Sequence, residues 1–149
     1  MKVKDKPILI IFEGVDKSGK TTLKDKFNKA TNFNYVVLDR LTTSSKIYNN
    51  FFERDRLEYY ENFERSVKRN FNILVVLCEC KTETIIERLK NANEFLPEKL
   101  MDIDKVKAAF REEVDNSFDN YIVIDTEEEI DECVNTLVNR VNEMEKSNG

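Results

Sequence analysis

Histidine is absent from these 149 residues, which removes imidazole metal sites and imidazole general bases. What remains is chemistry run by the positioning of charged and hydroxyl side chains. Cysteine is scarce as well. Cys78, Cys80 and Cys133 are odd in number and lack metal-ligand spacing, so they read as reduced thiols rather than a disulfide framework. No apolar run approaches the ~20 residues that span a bilayer, and no signal-peptide pattern opens the chain. The expectation is a cytoplasmic, soluble protein with no membrane partner, its basic start from Met1 to Lys6 a short frayed tail. A net charge of −5 argues against a nucleic-acid polymer as partner. Glycine is the most informative shortage. Only Gly14, Gly19 and Gly149 occur, where ordinary usage of about 7% would supply roughly ten.

Two of those three glycines fall in one stretch. The apolar run Ile8 to Phe12 breaks into Gly14, Val15, Asp16, Lys17, Ser18, Gly19, Lys20, Thr21 and Thr22, after which a helical pattern begins. This is G-x-x-x-x-G-K-[ST] with a strand before it and a helix after it. Gly14 and Gly19 let the backbone curl so that its N–H groups converge on a polyphosphate, and the helix N-terminus adds positive potential there. Lys20 can reach the β- and γ-phosphates of ATP, and the Thr21 hydroxyl is placed to ligate Mg2+.

The rest of the chain alternates strand and helix. Leu23, Phe27 and Ala30 give an amphipathic helix, and Tyr35 to Leu38 a short buried strand ending in Asp39 and Arg40. Strand–helix–strand units make parallel sheets whose ligands collect at the strands' carboxyl ends. Asp39 is therefore expected beside the phosphate loop, as a water-mediated Mg2+ ligand. Ser44 to Arg69 reads as mostly helical with Ile47, Phe51, Leu57, Tyr60, Phe63 and Val67 as its apolar stripe. Ile73 to Leu77 is unbroken apolar and so a central strand. A helix from Thr84 to Lys90 leads into the polar stretch Asn91 to Pro97, a candidate lid spanning about 88–102. A helix through Ile103 and Val114, a strand at 121–125, and a helix opened by a Thr126–Glu129 capping box complete the chain. One α/β domain over 1–149 is expected: a three-layer α/β/α P-loop fold with four parallel strands near 8–13, 35–39, 73–78 and 121–125.

Phe12 to Thr22 resembles the F-E-G-x-D-x-x-G-K-[ST]-T loop of thymidylate kinases, and Val37 to Leu41 with Ser44, Ser45 and Tyr48 resembles their D-R-Y…S-S-x-A-Y-Q segment. Leu77, Thr82, Glu83, Arg88 and Leu89 resemble the lead into their lid, and Val123 to Asp125 their last strand. The resemblance implies Mg-ATP-dependent phosphorylation of a deoxynucleoside monophosphate, dTMP in that family. It implies that Lys20, Lys17 and Arg40 are catalytic, stabilising the transferring phosphoryl and bridging the two phosphates. It further implies that Asp16 holds the acceptor's 3′-hydroxyl, that Ser44 and Tyr48 line the acceptor site, and that Arg88 lies against the ATP adenine. A homodimer is implied too. The chain departs from the family between Gly19 and Asp39, where one helix replaces the R-E-P-G strand and the base-reading residues, so no residue supports thymine selectivity.

Two other readings fit the residues. A nucleoside or other small hydroxyl acceptor would need a carboxylate base, for which Glu13 or Asp16 could serve. A nucleotide-binding regulatory protein without an acceptor site would bind ATP and transfer nothing. The function cannot be read from the fold alone, because it lives in the site.

Overall fold

The computed structural model describes residues 6–93, 98 and 101–148. Four strands form one wholly parallel sheet: β1 (Ile8–Glu13), β2 (Val36–Asp39), β3 (Asn72–Glu79) and β4 (Tyr121–Asp125), in the order β2-β1-β3-β4. The connections carry α1 (Lys20–Ala30), α2 (Thr42–Phe51), α3 (Leu57–Asn70), α4 (Thr82–Asn91) and α5 (Ile103–Ser117), and α6 (Ile130–Asn148) follows the last strand.

Period-two alternation divides the core between two faces of the sheet. Leu9, Ile11, Ile73, Val75 and Leu77 point one way, into a cluster with Ile47 of α2, Ile85 and Leu89 of α4, and Val106, Phe110 and Val114 of α5. Ile10, Phe12, Leu74, Val76 and Cys78 point the other way, onto Leu23 and Phe27 of α1 and Cys133, Leu137 and Val141 of α6. Helices on both faces explain why β1 and β3 read as continuous apolar runs. The three-layer α/β/α arrangement matches the sequence expectation.

Several local expectations need correction. β2 is an edge strand rather than a buried one: Val36 is 55% exposed, and only its β1 side is paired. The helical stretch from Ser44 to Arg69 is two helices, broken between Phe52 and Arg56 where Glu53 takes a left-handed φ of 52°. That break resets the helical phase, so Leu57 and Phe63 of α3 stay exposed while Ile47 of α2 is buried; Phe51, the last residue of α2, is exposed as well. The charges between these helices are partly internal. Lys46 of α2 is buried and pairs with Glu64 of α3 (2.9 Å) and Glu113 of α5, and the Thr42 hydroxyl donates to Glu64 at 2.6 Å. The Thr126–Glu129 capping box does not form, because α6 begins at Ile130 and Thr126 turns its hydroxyl onto Ser18 O and Glu79 O.

At the amino end, Lys6 is tied to the sheet, its carbonyl accepting from Asn72 Nδ2 at 3.1 Å; Met1 to Asp5 lie outside the described residues. In the lid interval, Arg88 to Asn91 belong to α4, Glu98 is buried, and Asp102 caps α5 by accepting from Asp104 N and Lys105 N. Residues 94–97, 99 and 100 of that expected lid lie outside the described residues. Among the described residues, no helix is long and apolar enough to cross a membrane.

Candidate functional site

The phosphate loop follows β1 directly, and its backbone has the shape its glycines permit. Gly14 takes φ 145° and Gly19 φ 85°, with Lys17 also left-handed at 69°. Gly14 is required for a second reason: a Cβ there would stand 2.5 Å from the Cys78 carbonyl oxygen of β3. Val15 is buried in the core on one side of the loop, which pins it. Gly19 is the left-handed residue before α1, so the unpaired N–H groups of that helix open toward the loop. Thr21 and Thr22 are exposed on the first helical turn.

β2 lies beside β1 with Phe12 opposite Asp39, so the carboxyl ends of both strands open on one edge. That register delivers Asp39 to the Lys20 ammonium, which ion-pairs with it although Lys20 is 6% exposed. The next residue, Arg40, donates its N–H to Phe12 O at 2.8 Å and takes φ 68°, a strained value for a long side chain. This turn aims the guanidinium inward. It donates to Ser44 Oγ at 2.7 Å and to Asp16 Oδ1 at 3.3 Å, with its carbon 5.9 Å from the Tyr48 ring centroid. Burial disfavours its charge, but Tyr48, Asp16 and Glu13 more than offset this, and Arg40's pKa is raised.

Glu13, the last residue of β1, is 1% exposed. Its carboxylate accepts from Leu41 N at 3.0 Å, Ser44 N at 3.4 Å and Ser44 Oγ at 2.5 Å. It therefore caps α2 from across the sheet, filling the role that Leu41 cannot. Burial raises its pKa, against the opposing pull of these donors. Tyr48, about one turn further along α2, donates to Glu98 Oε1 at 2.5 Å; burial raises its pKa, with Glu98 adding to the rise and Arg40 opposing it, so it stays protonated.

Asp16, Arg40 and Ser44 thus form one hydrogen-bonded cluster, with the Tyr48 ring beside the guanidinium. Arg88 of α4 reaches the loop from the other side, donating to Lys17 O at 2.7 Å. Asp16, Lys17, Lys20, Thr21 and Arg88 line an open cleft of about 250 Å³. The Thr21 hydroxyl and the Asp39 carboxylate are hard oxygen donors, and Asp39 already meets a cation in Lys20. That donor set fits Mg2+, which takes few protein ligands and completes its shell with water and phosphate oxygens.

Three contributors were not foreseen from sequence in these roles. Glu13, a candidate base by sequence, caps α2. Thr126, read as a helix cap, braces the loop through Ser18 O and stands against Gly19. Glu98 had no sequence signal at all, since it lies 50 residues from its partner Tyr48.

No family model matches the chain, and no curated protein matches it either. Solved structures do. The YorR protein of Bacillus subtilis, in complex with phosphorylated GDP, superposes with a TM-score of 0.63 at 23% identity, covering 90% of this chain and 95% of that one. Deoxyadenosine kinase of M. mycoides, solved with its products dCMP and dCDP, gives 0.62 at 16% identity over 91% and 99% of the two chains. The same enzyme with bound dCTP gives 0.61 at 16% identity, over 91% of this chain and 99% of that one. What the chain shares with them is the three-layer α/β/α fold around a parallel sheet.

Proposed function

We propose that residues 1–149 act as a single kinase domain that transfers the γ-phosphoryl group of Mg-ATP to a deoxynucleoside monophosphate. The observation that carries this reading is the meeting of Lys20, Asp39, Arg40 and Asp16 at the mouth of a glycine-shaped phosphate loop. ATP phosphates would lie along the N–H groups of residues 14–22, with Lys20 on the β- and γ-phosphates. Lys17 and Arg40 would screen the negative charge that grows on the transferred group. Thr21 and Asp39 would hold Mg2+, which supplies charge neutralisation at the phosphate oxygens. Arg88 beside Lys17 O would face the donor's adenine. Asp16, Arg40, Ser44 and Tyr48 would hold the acceptor.

The state of two carboxylates supports this acceptor class. A hydroxyl nucleophile needs an accessible base. Glu13 is buried with both oxygens occupied, and Asp16 is committed to Arg40. An acceptor phosphate is already ionised at neutral pH and needs no base. The resemblance to thymidylate kinases suggests dTMP, and the nucleotide pools of the cytoplasm would supply both substrates.

ATP consumption against a panel of deoxynucleoside monophosphates, nucleoside monophosphates and deoxynucleosides tests the proposal, with Lys20→Ala as control. Turnover with a monophosphate that falls by about a thousandfold in Lys20→Ala is the expected result. Near-wild-type turnover in that variant would sink the mechanism. Turnover confined to nucleosides would move the acceptor to a hydroxyl and make Asp16 the base.

A further inference from the structure

A second cavity, of about 430 Å³, lies between α4 and α5. Its walls are apolar, with Ile86 and Leu89 from α4 and Met101 and Ile103 near the start of α5. Its polar groups are mostly acidic: Glu98, Asp102 and Asp104, against Lys90 at the rim. The acids are not equivalent. Asp102 is spent on the N–H groups that open α5, and Asp104 accepts from the Thr82 hydroxyl. Glu98 is 4% exposed, and although its Oε1 accepts from Tyr48, its Oε2 has no hydrogen-bond partner among the described residues. A buried carboxylate oxygen without a donor is costly, so an N–H that reaches it is favoured over an oxygen that does.

The cavity and the phosphate-loop cleft flank α4. Arg88 turns to the loop, while Ile86, Leu89 and Lys90 turn to the cavity. Tyr48 joins the two, with its ring beside Arg40 and its hydroxyl on Glu98. One phenol ring thus separates the cation proposed to meet the acceptor's phosphate from the unpaired oxygen. Acidic groups repel a phosphate, and the aliphatic walls fit a flat ring.

We infer that this cavity receives the base of the acceptor nucleotide and that Glu98 selects bases bearing an exocyclic amino group. The inference rests on the phosphotransfer reading for what the base is attached to. Cytosine and adenine present two N–H bonds on one amino nitrogen, so one can reach Oε2 while the neighbouring ring nitrogen, N3 in cytosine or N1 in adenine, stays aside. Thymine presents its single N–H between two carbonyl oxygens, which face the carboxylate with like partial charge. The base preferred is then an amino base rather than thymine.

Calorimetry of dCMP, dAMP and dTMP binding to the full chain tests this, with Lys20-dependent turnover measured alongside. The wild type is expected to bind dCMP or dAMP about tenfold tighter than dTMP, and Glu98→Gln, which turns the free acceptor into a donor, to erase that ratio. Ile86→Trp is a second variant, at a position 38% exposed where folding is not at stake. It is expected to weaken all three ligands and leave ATP affinity unchanged. Tighter binding of dTMP by the wild type, a ratio indifferent to Glu98→Gln, or no binding of any of the three overturns the inference. If Glu98→Gln does not fold, undiminished binding by Ile86→Trp overturns it. Selective, Glu98-dependent binding without turnover keeps the base site and overturns the phosphotransfer reading instead.

Discussion

Replacing Glu13 by alanine tests how the core of the sheet holds the candidate site together. The wild-type carboxylate is 1% exposed and satisfies Leu41 N, Ser44 N and Ser44 Oγ. Alanine removes a helix cap, worth about 0.5–2 kcal/mol. It also leaves buried donors without an acceptor, at about 1–3 kcal/mol. Together these give a loss on the order of 3–4 kcal/mol, which for a chain of this size lowers Tm by roughly 6–16 °C. Urea and thermal denaturation read this directly. Glu13→Gln should recover about half of the loss, because its amide oxygen can still accept from the two backbone N–H groups. The same change releases Ser44 and with it the Arg40 guanidinium, so turnover should fall in Glu13→Ala even where the variant remains folded. A Glu13→Ala protein within about 1 kcal/mol of wild type would show that α2 does not depend on this cap.

Two further outcomes follow from buried charge. Because burial raises the pKa of Glu13 above 4.5 in the folded chain, its contribution to stability is full below that value and declines as pH rises through the folded-state pKa. The stability gap between wild type and Glu13→Ala should therefore narrow as the pH is raised above 4.5 in denaturation curves, and a widening gap would contradict the assigned direction. Lys46→Met should cost about 3 kcal/mol in chemical denaturation, because it strips the buried cation that Glu64 and Glu113 share and leaves Glu64 only the more exposed Lys68 at 3.2 Å. Lys46 has no contact with the phosphate loop, so the folded fraction of this variant should keep wild-type ATP affinity.

Much of the candidate site was legible because its chemistry is local. The phosphate loop needs glycine at two fixed positions and a lysine one residue later, and a chain with only three glycines advertises that requirement. Asp39 and Arg40 were legible through topology, since an acid after a strand joined to β1 by one helix must emerge on the loop's edge. The helical stretch after Ser44 was misread because periodicity carries no information on where a left-handed residue will break it. Glu53 does so without a glycine or proline to announce it. Thr126 was misread as a cap because its spacing to Glu129 satisfies a local rule, while the loop carbonyl that captures its hydroxyl is 108 residues away in sequence.

The sequence by itself determined the parallel α/β core, through unbroken apolar strands between amphipathic helices, and the phosphate loop, through backbone conformations that only glycine adopts at no cost. The tertiary structure decided the rest. Strand register alone sets Asp39 against Lys20, and Glu13 becomes the cap of α2 only when β1 and α2 pack. Only inside the fold does Glu98 meet Tyr48 through one oxygen while its other is buried without a partner. Local conformational demands leave a trace in the spacing of residues, whereas long-range hydrogen bonds between buried groups leave none.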